Sequence, residues 1–176
     1  MAPEPPLPAS PPRTIVVSAC LLGVRCRHDG RDRLDPTLAA RAGGAVLVPV
    51  CPEELGGLGT PRPAAGLEGG DGRAVLENRA RVVDVNGRDV TRAFVDGAER
   101  ALAVARAVGA REAWLTERSP SCGTCGTHVD GRLVPGSGVA SATLARAGLR
   151  VVGIGDPTRR SAGGGAPASA SSPPPS

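Results

Sequence analysis

The chain contains no lysine and no tyrosine, and Phe94 and Trp114 are its only phenylalanine and tryptophan. Without lysine there is no Schiff-base amine and no phosphate-binding loop of the Walker type, and without tyrosine there is no phenolic acid. Proton transfer is left to His28, His128, carboxylates, thiols and water. Two large aromatic rings are too few for a platform on which single-stranded nucleic acid stacks, so no nucleic acid polymer is expected as a partner. No apolar run approaches the roughly 20 residues a bilayer requires, so no membrane association is expected. The N-terminus has no charged start followed by an apolar stretch, and therefore does not look like a secretory signal. A cytoplasmic protein is the expectation. Its five cysteines would then sit in a reducing compartment, where metal ligation or thiol reactivity is commoner than a disulfide.

All 21 basic residues are arginine, and the net charge is +4. That excess reads first as a solvated surface, because net charge speaks to solubility before function. Length suits one domain. Residues 1–12 are Pro-rich, and residues 157–176 end in GGGAPASASSPPPS. Both lack apolar periodicity and are expected to be disordered. A single α/β domain over residues 13–156 remains.

Within it, Thr14–Ala19 and Ala45–Val50 are short β-branched runs that predict buried strands, with Cys20 and Cys51 directly after them. Asp35-Pro36 looks like a helix start and Gly43-Gly44 like its end. Residues 52–72 read as a Gly/Pro-rich loop, and 75–77 with 81–85 as a small hairpin. Phe94, Ala98, Leu102, Ala105 and Val108 recur at helical spacing, predicting a helix over 89–108 ended at Gly109. Glu112–Glu117 predicts a third strand, followed by a loop carrying Cys122. Residues 139–147 predict a helix and 149–155 a last strand. Strands alternating with helices predict a Rossmann-like fold: a mostly parallel sheet with helices on both faces.

In such a sheet all carboxyl ends share one edge, where ligands bind. Cys20, Cys51 and Cys122 each follow a different strand, so they can converge there. The plain alternative is that they are buried small hydrophobes. Thiolates select zinc, copper(I) or iron–sulfur clusters. Structural zinc usually takes four ligands in paired knuckles, and Cys122-x-x-Cys125 is the one such pair. Spacing leaves iron–sulfur and zinc both open. A structural or regulatory metal-binding module without turnover is the competing function, and a Cys122–Cys125 dithiol oxidoreductase is a third.

The segments VSACLLGVRCRHDG, PVCPEELGGLGTPRP, ERSPSCG, VDG and PGSGV resemble, in order, the signature of the domain-of-unknown-function family 523, which includes bacterial 2-thiouracil desulfurases. The resemblance spans about residues 14–154. It implies a 4Fe–4S cluster on three cysteines, here Cys20, Cys51 and Cys122, and non-redox removal of sulfur from a small thio-compound such as 2-thiouracil. The open iron would take the substrate sulfur and water would supply the oxygen. Glu53 would be the general base, with Glu54 second, and Ser119 and Ser121 would orient substrate or water. Glu53 has a plainer reading as a helix-start carboxylate, and the two serines as turn caps. Cys26 is a thiol beside the cluster, a persulfide carrier or packing. His28, with Asp29 beside it, is a better site candidate than His128. Two departures bear on substrate: Ala64-Ala65-Gly66 stands where the family commonly continues with an acidic residue, and no aromatic residue lies near Val129-Asp130-Gly131.

Overall fold

A computed structural model describes residues 12–155. The two terminal tracts expected to be disordered, Pro12 apart, lie outside the described residues. Strand β1 (Thr14–Ser18) leads through a 3-10 turn (Ala19–Leu22) to α1 (Leu38–Ala42) and β2 (Val46–Val50). Then come α2 (Pro52–Leu55), β3 (Ala65–Glu68), α3 (Gly72–Leu76) and β4 (Arg81–Asp84). The long α4 (Thr91–Ala107) is followed by β5 (Glu112–Thr116), β6 (Gly126–Val129), β7 (Arg132–Pro135), α5 (Val139–Arg146) and β8 (Arg150–Ile154).

The main sheet has the order β2-β1-β5-β8 and is parallel throughout. Strand β1 lies inside it, which is why Ile15, Val16 and Val17 are fully buried and its sequence is continuously apolar. One face packs Ile15, Val17, Trp114 and Ile154 against Leu38 and Ala42 of α1. The other packs Val16, Val50, Ala113 and Leu115 against Ala105 of α4 and Leu144 of α5. Helices therefore cover both faces, as the alternating pattern predicts.

A second sheet of order β4-β3-β6-β7 takes the expected strand at 81–85 as β4 and adds three strands where loops are expected. Ala65–Glu68 has no β-branched residue, and its strand is made by the antiparallel ladder with β4 rather than by propensity. The expected strand at 75–77 is a correction: Val75 and Leu76 end α3, whose start is set by Asp71, the carboxylate accepting from the backbone N–H of Arg73 and Ala74. The loop after Cys122 contains the hairpin β6–β7, turned at Asp130-Gly131 with φ of 49° and 75°. That Asp-Gly turn is a recognisable hairpin signal. Phe94, Leu67, Val82 and Val139 fill a third core between this sheet, α4 and α5. The helix expected to start at Asp35-Pro36 begins at Leu38, because the Asp35 carboxylate accepts from Thr37 N and Oγ1 in a turn ahead of it.

Candidate active site

At the carboxyl edge of the parallel sheet lies a cavity of ≈ 370 Å³, at the small end of the ≈ 300–1,000 Å³ usual for small-molecule sites. Cys20, Cys51 and Cys122 all line it, and so does Cys26. Cys20 sits in the 3-10 turn after β1, closed by Gly23 at φ 88°, a left-handed conformation glycine adopts without cost. Cys51 is the N-cap position of α2, with Pro52 at the first helical position. Cys122 follows β5, where Ser119 Oγ accepts from the N–H of Ser121 and of Cys122, each at 3.1 Å. All five cysteines are free; Cys20, Cys26 and Cys122 are buried, Cys51 is half-buried and Cys125 exposed.

Burial and contacts among the thiols push Cys26, Cys51 and Cys122 upward. Cys26 is pushed up to about 11, first by the Cys20 thiol against it, with the Cys51 thiol opposing and burial adding. Cys51 is raised by the Cys26 thiol and then by burial. Burial pushes Cys122 up to about 12, with the Ser18 hydroxyl opposing. With no cation present these groups are neutral thiols near pH 7, and it takes a bound metal to strip their protons.

Glu53 lines the same cavity, and its Oε2 accepts from Arg62 Nε at 2.7 Å. The Arg62 side chain is only 6% exposed. Its terminal nitrogens also donate to the carbonyl of Cys26 at 3.1 Å and to Gly59 O and Thr60 Oγ1. Helix α2, the loop after it and the loop after β1 are thereby tied together by one guanidinium. Among the described residues Glu53 Oε1 has no side-chain partner, so one carboxylate oxygen is held and the other is left for a ligand.

Ser119 lines the cavity; Ser121 does not. Ser121 is buried toward α5, its carbonyl accepts from Ala140 N, and its hydroxyl has no partner. His28 and His128 both line the cavity, but Asp29 does not; it pairs with Arg27. Cys125 lies outside it, and its N–H donates to Glu117.

Sequence reasoning passed over Arg62, Glu117 and Arg33. Buried Glu117 directly follows β5 and accepts from Thr124 N, Cys125 N and the Thr124 hydroxyl, clamping the turn that carries Cys122. A side chain at Gly153 would overlap this carboxylate. Arg33 donates to Thr116 Oγ1 and Glu117 O, closing the loop after β1 over the sheet edge. Arg62 had a signal, an arginine inside the quoted TPRP segment, but its partners lie 9 and 36 residues away.

A parallel α/β sheet that gathers buried thiols and a paired carboxylate at its carboxyl edge defines a small enzyme-like scaffold for a thiophilic centre. The chain belongs to the 2-thiouracil desulfurase family, whose model matches residues 15–154. Membership carries the activity class: the chain is a desulfurase. It is 40% identical over 142 residues to the uncharacterized protein YbbK of Bacillus subtilis (strain 168), covering 78% of this chain and 93% of that protein. It is also similar to the solved structure of the [4Fe-4S]-dependent thiouracil desulfidase TudS, with TM-score 0.68 and 38% identity over 80% of this chain and 90% of that one.

Proposed function

We propose that the chain hydrolyses a small thiolated pyrimidine such as 2-thiouracil, releasing hydrogen sulfide, with a 4Fe–4S cluster held by Cys20, Cys51 and Cys122. The observation that carries this reading is that three thiols following three different strands line one cavity together with Glu53. The donor spacing is wider than a single zinc draws together. A single zinc with bonds near 2.3 Å draws tetrahedral thiolates to about 3.8 Å of one another. Among the described residues these three sulfurs do not form a group closing within 4.8 Å. Soft thiolates also suit iron–sulfur. With three protein thiolates, such a cluster keeps one iron open as a Lewis acid for the substrate sulfur.

The chain's own residues supply the rest. Glu53, aimed by Arg62, takes a proton from the attacking water through Oε1. The water oxygen bonds to the ring carbon as the carbon–sulfur bond breaks, and sulfur leaves with the protons as hydrogen sulfide. No electrons are exchanged. Ser119 lines the cavity and holds the turn of Cys122 through its hydroxyl oxygen. Ser121 acts through the backbone of that turn. No phenylalanine or tryptophan lines the cavity, so the planar groups available to a ring include the imidazoles of His28 and His128 and the guanidinium of Arg62. Five free cysteines support a reducing, cytoplasmic setting. No described helix is long and apolar enough to cross a membrane.

Anaerobic reconstitution with iron and sulfide should yield about four irons per chain, with sulfide released from 2-thiouracil. Cys51→Ala should lose both. Glu53→Gln should keep the iron and lose about 10²- to 10⁴-fold in kcat. Full iron and full sulfide release in Cys51→Ala would overturn the assignment, and cluster without turnover on any thiolated base would favour a metal-binding module.

A further inference from the structure

Cys26 belongs to no step above, yet it is buried at the cavity wall and stands in a second constellation. Its sulfur, the sulfur of Cys51 and a carboxylate oxygen of Glu54 all lie within 4.8 Å of one another. Cys20 and Cys122 are not part of that group. The residues that carry these donors are tied into the surrounding structure. The carbonyl of Cys26 accepts from both terminal nitrogens of Arg62 at 3.1 Å, and its N–H donates to Val24 O at 2.9 Å. The Glu54 carboxylate accepts from Thr60 Oγ1 at 2.7 Å. The Cys51 thiol is anchored by contact with Cys26 O at 3.6 Å. A ligating carboxylate that is itself hydrogen-bonded is oriented by that bond, as Glu54 is by Thr60.

We infer that Cys26, Cys51 and Glu54 form a mononuclear site for a thiophilic divalent cation of zinc's kind, distinct from the three-cysteine cluster set and sharing only Cys51 with it. Two sulfurs and one oxygen leave a fourth tetrahedral position for water. Binding releases the two thiol protons to solvent and no electrons move, giving two thiolates, one carboxylate and one divalent ion. Because Cys51 serves both sets, an ion here and the cluster exclude each other. The site therefore sets which metal the empty protein takes first: ferrous iron held here is on the way to a cluster, and zinc held here blocks one.

The full-length, metal-free chain is titrated anaerobically with cobalt(II), whose spectrum reports tetrahedral thiolate ligation. One equivalent should bind, with sulfur-to-cobalt charge-transfer and visible ligand-field bands. Cys26→Ser should weaken binding by more than about 100-fold, beyond the loss expected of a supporting residue, and Thr60→Val by about 10-fold. Cys122→Ser should leave the cobalt spectrum intact. In the parent chain one equivalent of zinc(II) added first should suppress iron uptake on reconstitution, and in Cys26→Ser it should not. Glu54→Gln serves as a second probe if Cys26→Ser loses its far-ultraviolet circular dichroism. Equal cobalt binding in the parent chain, Cys26→Ser and Glu54→Gln would overturn the inference, as would loss of the cobalt bands in Cys122→Ser. None of these readouts depends on turnover, so failure here is distinguishable from failure of the desulfurase reading.

Discussion

The residue that organises this site is Arg62, although no chemistry passes through it. A guanidinium offers five donors in a rigid fork, and here the fork spans Glu53, Cys26, Gly59 and Thr60. Lysine keeps the charge and loses the fork. Arg62→Lys should leave iron content unchanged and lower kcat about 10- to 100-fold, with KM moved much less, since misplacing a catalytic group by about 1 Å can cost that much. Steady-state kinetics on protein of matched iron content checks this. An equal change in kcat when Glu53 is already Gln would show that Arg62 does not act through Glu53. Cys125 shows the opposite case: its place near Cys122 in sequence suggests a dithiol, but Cys122 is buried in the cavity wall and Cys125 is exposed outside it.

At the scale of elements, the short α2 decides where Glu53 and Glu54 stand, and glycines decide where α2 stands. A side chain at Gly97 of α4 would overlap the carbonyl oxygen of Pro52, and one at Gly56 would overlap that of Ala93. The two helices thus touch backbone to backbone. In an exposed helix, Gly→Ala gains about 1 kcal/mol. Here Gly97→Ala should instead cost about 1–3 kcal/mol through overpacking, measured by urea unfolding, and should reduce iron retention because α2 carries Cys51 at its start. A stabilised Gly97→Ala would show that the crossing has slack. The same close approach was invisible in the helical periodicity of residues 91–107, since periodicity reports which face is apolar and not how near the neighbour comes.

Across the whole molecule, ionised carboxylates join segments remote in sequence. Burial alone would raise Asp71, but N–H groups of Ser137, Ala74 and Arg73 outweigh it and hold its carboxyl below the usual range. Burial opposes Glu112 likewise, and hydrogen bonds from Arg150, Arg13 and Trp114 hold it low. A group whose folded pKa is depressed adds stability that is complete above its unfolded value, about 4, and is lost as pH falls through the folded value. The melting temperature should therefore be insensitive to these groups between about pH 5 and 7 and should fall steeply below about pH 4. Asp71→Asn should flatten that acid limb, and an unchanged limb would show that other groups set it.

The sequence by itself determined the parallel core, the long helix and the position of Cys20, Cys51 and Cys122 after their strands. β-branched runs, helical spacing and residue order are local, and a parallel sheet sends every strand's end to one edge. Tertiary structure alone decided the second sheet, because strands as plain as Ala65–Glu68 owe their form to a partner 13–19 residues on. It alone decided that Ser119 lines the cavity and Ser121 does not, that Glu53 meets Arg62, and that Cys26 meets Cys51 and Glu54. Those pairings depend on side chains from separate loops meeting within a few ångströms, and no period or spacing in one chain encodes a distance across a fold.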